Sequence, residues 1–427
     1  MLSTMHQISA NFFINRIKDK QPQIHQWLKS LEQECLPPIY SSVDIRDAGF
    51  KIAVVDTNLF PAGFNNLCEH GIEDSIKFIR KAINRRVPNC ENILIVAEEH
   101  TRNTWYLENI RVLQQIIEKA GFRSRVATFF NIEPEFCQSA SAVDLETATG
   151  ETVKIFCFKR ILQKIKEGQD HYDLLILNND LSTGIPTTLL ETGIPIYPSA
   201  RAGWHSRLKS RHFTFTEDLI KHLAQVIDID PWMFSALFST VDSVDINNDR
   251  DRQKLADSAA ALFASIQKKY TEHGIEEKPF IFLKSDYGTY GMGVTPIESP
   301  QEIIDMNRKI KNKLYKGKSS QVISKFLLQE GVPTIYEIDN KVSEVCIYQI
   351  DNNLVGGFYR MHSEKSSRQN LNSQGMEFKK MCPHQKKYGD CGIHHDLNIF
   401  DIYRLLARIA GVAARKEIIE LEKAKSA

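Results

Sequence analysis

No stretch of the sequence is long and apolar enough to cross a bilayer, which takes about twenty consecutive apolar residues, so no membrane partner is expected. The opening MLSTMHQISANFFINRIKDK lacks a continuous apolar core and a small-residue cleavage site, so no secretory leader is expected either. Charge of one sign is missing too: 54 Lys and Arg stand against 53 Asp and Glu, a formal net charge of +1. Without a basic excess there is no general case for binding nucleic acid, though a local cationic pocket stays open. Repeats and low-complexity tracts are absent. The eight cysteines (35, 68, 90, 137, 157, 346, 382 and 391) are scattered, mostly within apolar segments. That pattern predicts buried thiols in a reducing compartment, hence a cytoplasmic protein, rather than a disulfide framework. At 427 residues, 42% of them hydrophobic, the chain has material for two or three domains.

The order of apolar segments predicts an α/β fold. A helical lead-in (1–50) ends near Pro37-Pro38. From 51 to 203, short apolar strands at 51–56, 92–97, 125–130, 174–177 and 194–197 alternate with helix-length segments. The first such segment, from Glu69 to Val87, carries Ile72, Ile76, Ile79 and Ile83 at helical spacing. This alternation predicts a mainly parallel sheet, with a hairpin projecting at Ala148-Thr149-Gly150. In such sheets ligands collect where strands end, and the loops there are polar: Asn58, Asn65 and Asn66, Glu98 and Arg102. From 204 to 427 the pattern becomes α+β with antiparallel strands, closed by a helix from about 397 to 424.

Three later segments bear chemistry. Phe280-Ile-Phe-Leu-Lys284 delivers a lysine at a strand end, just before Gly288, Gly291 and Gly293. Backbone amides of such a loop can ring phosphate oxygens while the lysine adds a compact positive charge. The lysine precedes the glycines, so this is not a Walker loop, and a dinucleotide fingerprint is excluded by spacing. Gln329-Glu330-Gly331-Val332 ends a strand and reads as a hinge offering backbone bonds to a base and a carboxylate to a ribose. Glu344 begins a hairpin whose far end carries Arg360, and Arg368, Asn370 and Asn372 follow in a polar loop. Guanidinium forks fit phosphate and carboxylate, and asparagine oxygens can ligate Mg²⁺.

In this order the segments resemble the nucleotide-binding half of an ATP-grasp carboxylate–amine ligase. More closely, the chain resembles the bacterial glutamate–cysteine ligases of that plan, distinct from the glutamine-synthetase-like form. The likeness rests on VVDTNLFPAGFNNLC (54–68), GWHSRLKSRHF (203–213), KSDYGTYGMG (284–293), QEGV (329–332), VGGFYR (355–360) and NLN (370–372). Arg368 to Asn372 also looks like the corresponding loop of bacterial glutathione synthetases.

The resemblance implies a pre-ATP-grasp-like first domain and an ATP-grasp-like second one. It implies ATP and Mg²⁺, with glutamate and cysteine joined through an acyl phosphate as the first step of glutathione synthesis. Lys209, Lys284, Gly288, Gly291, Gly293, Gln329, Glu330 and Val332 would then hold the nucleotide. Arg360 and Arg368 would stabilise the acyl phosphate, Glu344, Asn370 and Asn372 would hold metal, and the five polar loop residues of the first domain would bind amino acid. Two alternatives are another ATP-grasp ligase and a nucleotide-binding regulator that has lost catalysis. A homo-oligomer is compatible with the sequence.

Such ligases commonly carry a late strand with a carboxylate pair, and no clear strand of that kind follows Gly375; Asp396 and Asn398 are the late candidates. Cys382, His384, Cys391, His394 and His395 fall close together, but their spacing matches no usual zinc finger or ribbon. Cys68 reads as a packing residue, since the chemistry needs no covalent enzyme intermediate.

Overall fold

The structure is a computed structural model that describes residues 12–100, 102–129, 142–287, 293–315, 323–384, 391–394 and 397–424. Three sheets organise these residues into a mixed α/β fold. The first is the expected mainly parallel sheet. Asn92–Ala97 lies between Arg123–Thr128 and Leu174–Asn178, and Thr152–Cys157 and Ile196–Tyr197 extend it in parallel. Ala142–Glu146 closes one edge as the antiparallel arm of the expected hairpin. Strands covered on both faces need apolar side chains throughout, which is why ILIV and LLIL read as continuous runs. Helices Glu69–Arg86 and Thr104–Lys119 cover the sheet, burying Ile79 and Ile83 of the one and Ile110, Leu113 and Ile117 of the other. Gly121 follows the second helix at φ 98°, a conformation that a Cβ disfavours.

The strand expected at 51–56 forms, but in the second sheet. Ile52–Asn58 does not join the parallel sheet. It pairs antiparallel with Tyr40–Asp47, which pairs in turn with Lys341–Ile350. That strand continues through Asn353–His362 to Glu377–Cys382. Tyr40–Asp47 escapes a periodicity reading because YSSVDIRD is polar, yet nearly all of it is buried. Asp44 and Arg46 are neutralised by partners 316 and 298 residues away in sequence, which local pattern cannot show. A strand does follow Gly375, Glu377–Cys382, though not of the kind with a carboxylate pair. Four of its six residues are exposed, so it lacks the apolar signal of a core strand. Its one carboxylate, Glu377, pairs with Lys341 at 2.6 Å and supplies no metal-binding pair.

The third sheet is antiparallel throughout, in the order Thr295–Ile297, Ile281–Ser285, Phe326–Glu330, Phe238–Val241. Helix Asp249–Glu272 packs on one face through Leu255, Ala259, Leu262 and Ile266. The closing helix Leu397–Lys423 lies against the second sheet, sharing a core with helices Gln21–Glu34 and Lys209–Ile227. No helix among the described residues is long and apolar enough to span a membrane. Among the described residues six cysteines are free, as expected; Cys157 departs from that expectation and is disulfide-bonded.

Candidate active site

Successive residues of a strand face opposite ways, so one face of the second sheet gathers Asp44, Arg46, Asp56, Glu344 and Arg360. Asp44 stands opposite Asp56, and Glu344 opposite Arg360. The third sheet turns Phe282 and Lys284 toward them, and helix Lys209–Ile227 contributes its first residue. Together with Val55, Val294, Val332, Asn370 and Asn372 these side chains line a cleft of about 610 Å³, solvent-open space included.

The cleft is an alternation of charges. Arg360 Nη1 donates to Glu344 Oε1 at 2.6 Å and to Asp44 Oδ2 at 3.0 Å. Arg46 Nε donates to Glu344 Oε2 at 2.5 Å, while its other nitrogens hold the carbonyls of Ser367 and Gln369, fixing the loop that carries Asn370. Burial pushes the Glu344 carboxyl up, but the two arginines more than offset this and keep it below its ordinary value. Lys209 Nζ bonds Asp56 at 2.6 Å. Burial works against the Asp56 charge as well, yet Lys209 and Lys284 hold it well below the carboxylate range.

Lys284 differs from the other cations. Its Nζ donates to the neutral Gln329 Oε1 at 2.6 Å and to the Val55 carbonyl at 3.3 Å. Burial brings its pKa down to about 8, with Asp56 opposing the shift. Two buried donors here have no partner, Gln329 Nε2 and Arg360 Nε. A buried donor left unpaired costs about 1–3 kcal/mol. Four cations against three carboxylates leave the lining with an excess of one positive charge.

Not every expected residue reaches the cleft. Glu330 is spent inside the protein: it accepts from Lys51 Nζ at 2.9 Å, Trp232 Nε1 at 3.1 Å and the Leu237 amide at 2.9 Å. Next to Gln329 on the strand, it faces the opposite side. Arg368 lies outside the lining, bonded to the Lys278 carbonyl at 2.9 Å and stacked over Phe280 at 4.2 Å. Asn370 and Asn372 do line the cleft, joined by an Asx turn in which the Asn372 amide donates to Asn370 Oδ1 at 3.0 Å. Val332 lines it too, and Gly293, at φ 72°, immediately precedes the lining residue Val294; Gly288 and Gly291 lie outside the described residues.

The five loop residues of the first domain are not brought into this cleft. Asn58 Oδ1 accepts from the Phe60 amide, and Glu98 Oε1 accepts from the Asp180 amide at 2.8 Å. Asn65 Nδ2 leans on Asn66 at 3.4 Å, leaving Asn65 Oδ1 buried and unpartnered, and Arg102 is exposed. Of the basic run after Trp204, Arg207 and His212 belong to a buried network with Thr57 and Glu417, and Lys209 alone lines the cleft. The late candidate Asp396 and the side chain of Asn398 lie outside the described residues.

Sequence reasoning missed Asp44, Arg46 and Asp56. For the first two a signal exists, opposite charges two apart in a segment with strand-forming Val43 and Ile45. Asp56 closes the apolar run AVVD, where a strand-end carboxylate could have been read as functional.

The family model described as GshA, glutamate-cysteine ligase, matches residues 15–418. Among solved structures, the chain is 34% identical to a Methylobacillus flagellatus KT protein provisionally named a gamma-glutamylcysteine synthetase. The match covers 96% of each chain, with a TM-score of 0.84. D-alanyl-alanine synthetase A from Vibrio cholerae O1 biovar eltor str. N16961 aligns at 11% identity over 75% of this chain and 81% of its own. Its TM-score of 0.33 carries no conclusion. No curated protein matches the sequence. The fold is that of an α/β ligase. The chain belongs to the glutamate–cysteine ligase family, and its reaction joins glutamate to cysteine.

Proposed function

We propose that the cleft binds ATP and that ligation runs through γ-glutamyl phosphate on an ATP-grasp-like plan. The observation that carries this reading is Lys284, a buried cation held only by neutral acceptors at the floor of a net-positive cleft. The glutamate γ-carboxylate attacks the γ-phosphorus and ADP leaves. The cysteine amine then attacks the acyl carbonyl, phosphate departs, and the amine gives up a proton. Phosphoryl transfer depends mainly on positioning and on neutralising charge. Lys284 and Lys209 serve the β- and γ-phosphates, Arg360 the developing acyl phosphate, and Gln329 Nε2 and Arg360 Nε offer the spare hydrogen bonds.

Magnesium fits the donor set, which is all oxygen: Asp44, Asp56, Glu344, Asn370 and Asn372 line one cleft. Side-chain exposure separates them. Glu344, at 5%, is locked between two arginines, whereas Asp44 at 18% and Asp56 at 43% each bond one cation directly. We therefore place the metal on Asp44 and Asp56 with the two asparagines, and give Glu344 the task of orienting Arg360. The ion would neutralise phosphate charge. For the amino-acid site, Asn65 is retained for its unpartnered oxygen, whereas Glu98 acts as a brace.

Phosphate release from ATP should require glutamate and cysteine together. Release with a different amine, or none with any pair, would overturn the assignment in favour of another ligase or of a regulator.

A further inference from the structure

A second constellation lies away from the cleft, and none of its residues lines it. Cys68 sits at the start of helix Glu69–Arg86, followed by His70 in its first turn. Cys382 ends the late strand, and Cys391 precedes the short strand Ile393–His394 that runs parallel beside it. Over 300 residues of sequence separate the two halves, yet the three sulfurs lie within 4.8 Å of one another. Cys382 Sγ and Cys391 Sγ are 3.6 Å apart, and His70 Nδ1 lies 3.5 Å from the first and 3.2 Å from the second.

The three spacings among Cys382, Cys391 and His70 match edges of a metal tetrahedron, and Cys68 Sγ closes in on them from within 4.8 Å of the other two sulfurs. Zn–S bonds of about 2.3 Å and Zn–N bonds of about 2.05 Å put two sulfurs about 3.8 Å apart and a nitrogen and sulfur about 3.6 Å apart. A disulfide needs about 2.05 Å, so Cys382 and Cys391 are separate thiols. Cys68 Sγ accepts from the Gly71 amide at 3.4 Å at a helix N-terminus, where the backbone favours negative charge. The His384 ring lies beside His70 with centroids 4.9 Å apart, anchored by its Nε2 on Asp74 at 2.8 Å.

We propose that Cys68, His70 Nδ1, Cys382 and Cys391 form a closed structural zinc site of the Cys₃His type. Four protein ligands leave no position for substrate, so the ion acts as a staple. It ties the late strand to the helix that packs against Asn353–His362, the strand carrying Arg360. The fourfold set is invisible in sequence because the familiar spacings bring ligands from one loop, and here a Cys-x-His pair comes from the other end of the chain.

The test uses the full-length protein purified without chelators. Elemental analysis should find about one zinc per chain, and Cys391→Ser should lose it. Replacing zinc with Co²⁺ should give thiolate-to-cobalt charge transfer and the d–d bands of a tetrahedral ion. The cobalt spectrum of the unmutated chain decides the matter even if the serine variant does not fold. Less than about a tenth of an equivalent of zinc, with no charge transfer on adding Co²⁺, would overturn the site. So would a Cys382–Cys391 disulfide in the metal-free protein as isolated. Ligation activity is not the readout, so this result and that of the phosphate-release assay stand apart.

Discussion

Two lysines, Lys51 and Lys284, make a natural pair. Both are buried, burial brings both down to about 8, and neighbouring residues of one strand, Glu330 and Gln329, serve as their partners. The partners' chemistry separates them. Lys51 meets a carboxylate at 2.9 Å with both side chains fully enclosed, and its ammonium lies 3.9 Å from the Trp232 ring centroid. Its charge is answered within the protein. Lys284 meets only an amide oxygen and a carbonyl, and the nearby Asp56 is already bonded to Lys209. A buried charge is costly unless paired, so the second arrangement persists because an anion from outside completes it. The comparison teaches that a buried cation with a carboxylate is a strut, and one with neutral partners is a receptor.

The sharpest way to break the comparison is to remove each lysine. Lys51→Met strands the Glu330 carboxylate in the interior and should cost about 3–5 kcal/mol in denaturant unfolding. The double variant Lys51→Met, Glu330→Gln should recover much of that loss, because no charge is then left unpaired. Lys284→Met removes a charge that no carboxylate bonds directly, with Asp56 acting on it only from a distance. Its stability should hold within about 1 kcal/mol. Ligation should fall by about 10²–10³-fold or more, the scale of losing a dedicated electrostatic group. A Lys284→Met enzyme turning over like the parent would end its assignment as a phosphate ligand.

How much of this was legible in sequence follows from where the physics is local. The parallel sheet, its helices and the closing helix are written in apolar runs and three-to-four-residue stripes, and they emerge nearly at the expected bounds. Lys284, Lys209, Arg360, Asn370 and Asn372 were also legible, since their motifs place them at strand ends and loops. Tyr40–Asp47 was not: its Asp44 and Arg46 look solvated until Arg360 and Glu344 arrive from the other end of the chain. Glu330 misled for the complementary reason. The motif puts a carboxylate beside Gln329, but strand alternation sends it to the other side, where Lys51 waits.

Proton dependence sharpens the comparison at lower amplitude. Above about pH 8 the empty cleft loses the Lys284 charge, so the KM for ATP should rise with pH there. Lys284→Arg, always charged, should lack that rise. Stability should move the other way. An unfolded lysine titrates near about 10.4, so between about 8 and 10.4 the unfolded chain binds more protons than the folded one. The penalty of burying Lys284 and Lys51 as cations is complete below about 8 and is relieved as pH climbs through that window. Nucleotide affinity falling while unfolding free energy rises is a signature that general alkaline damage would not produce.

The smallest effect belongs to Arg368, whose charge meets only the exposed carboxylate of Glu298 at 3.6 Å. It caps the Lys278 carbonyl, stacks on Phe280, and keeps its side chain 27% exposed. Arg368→Ala should cost about 0.5–1 kcal/mol, the worth of a partly exposed cation–π contact. Because the residue lies outside the cleft lining, kcat should stay near that of the parent, with any change confined to KM through the loop bearing Asn370. A large loss of kcat would mean that nucleotide binding swings Arg368 inward, and would make it a catalytic partner of Arg360.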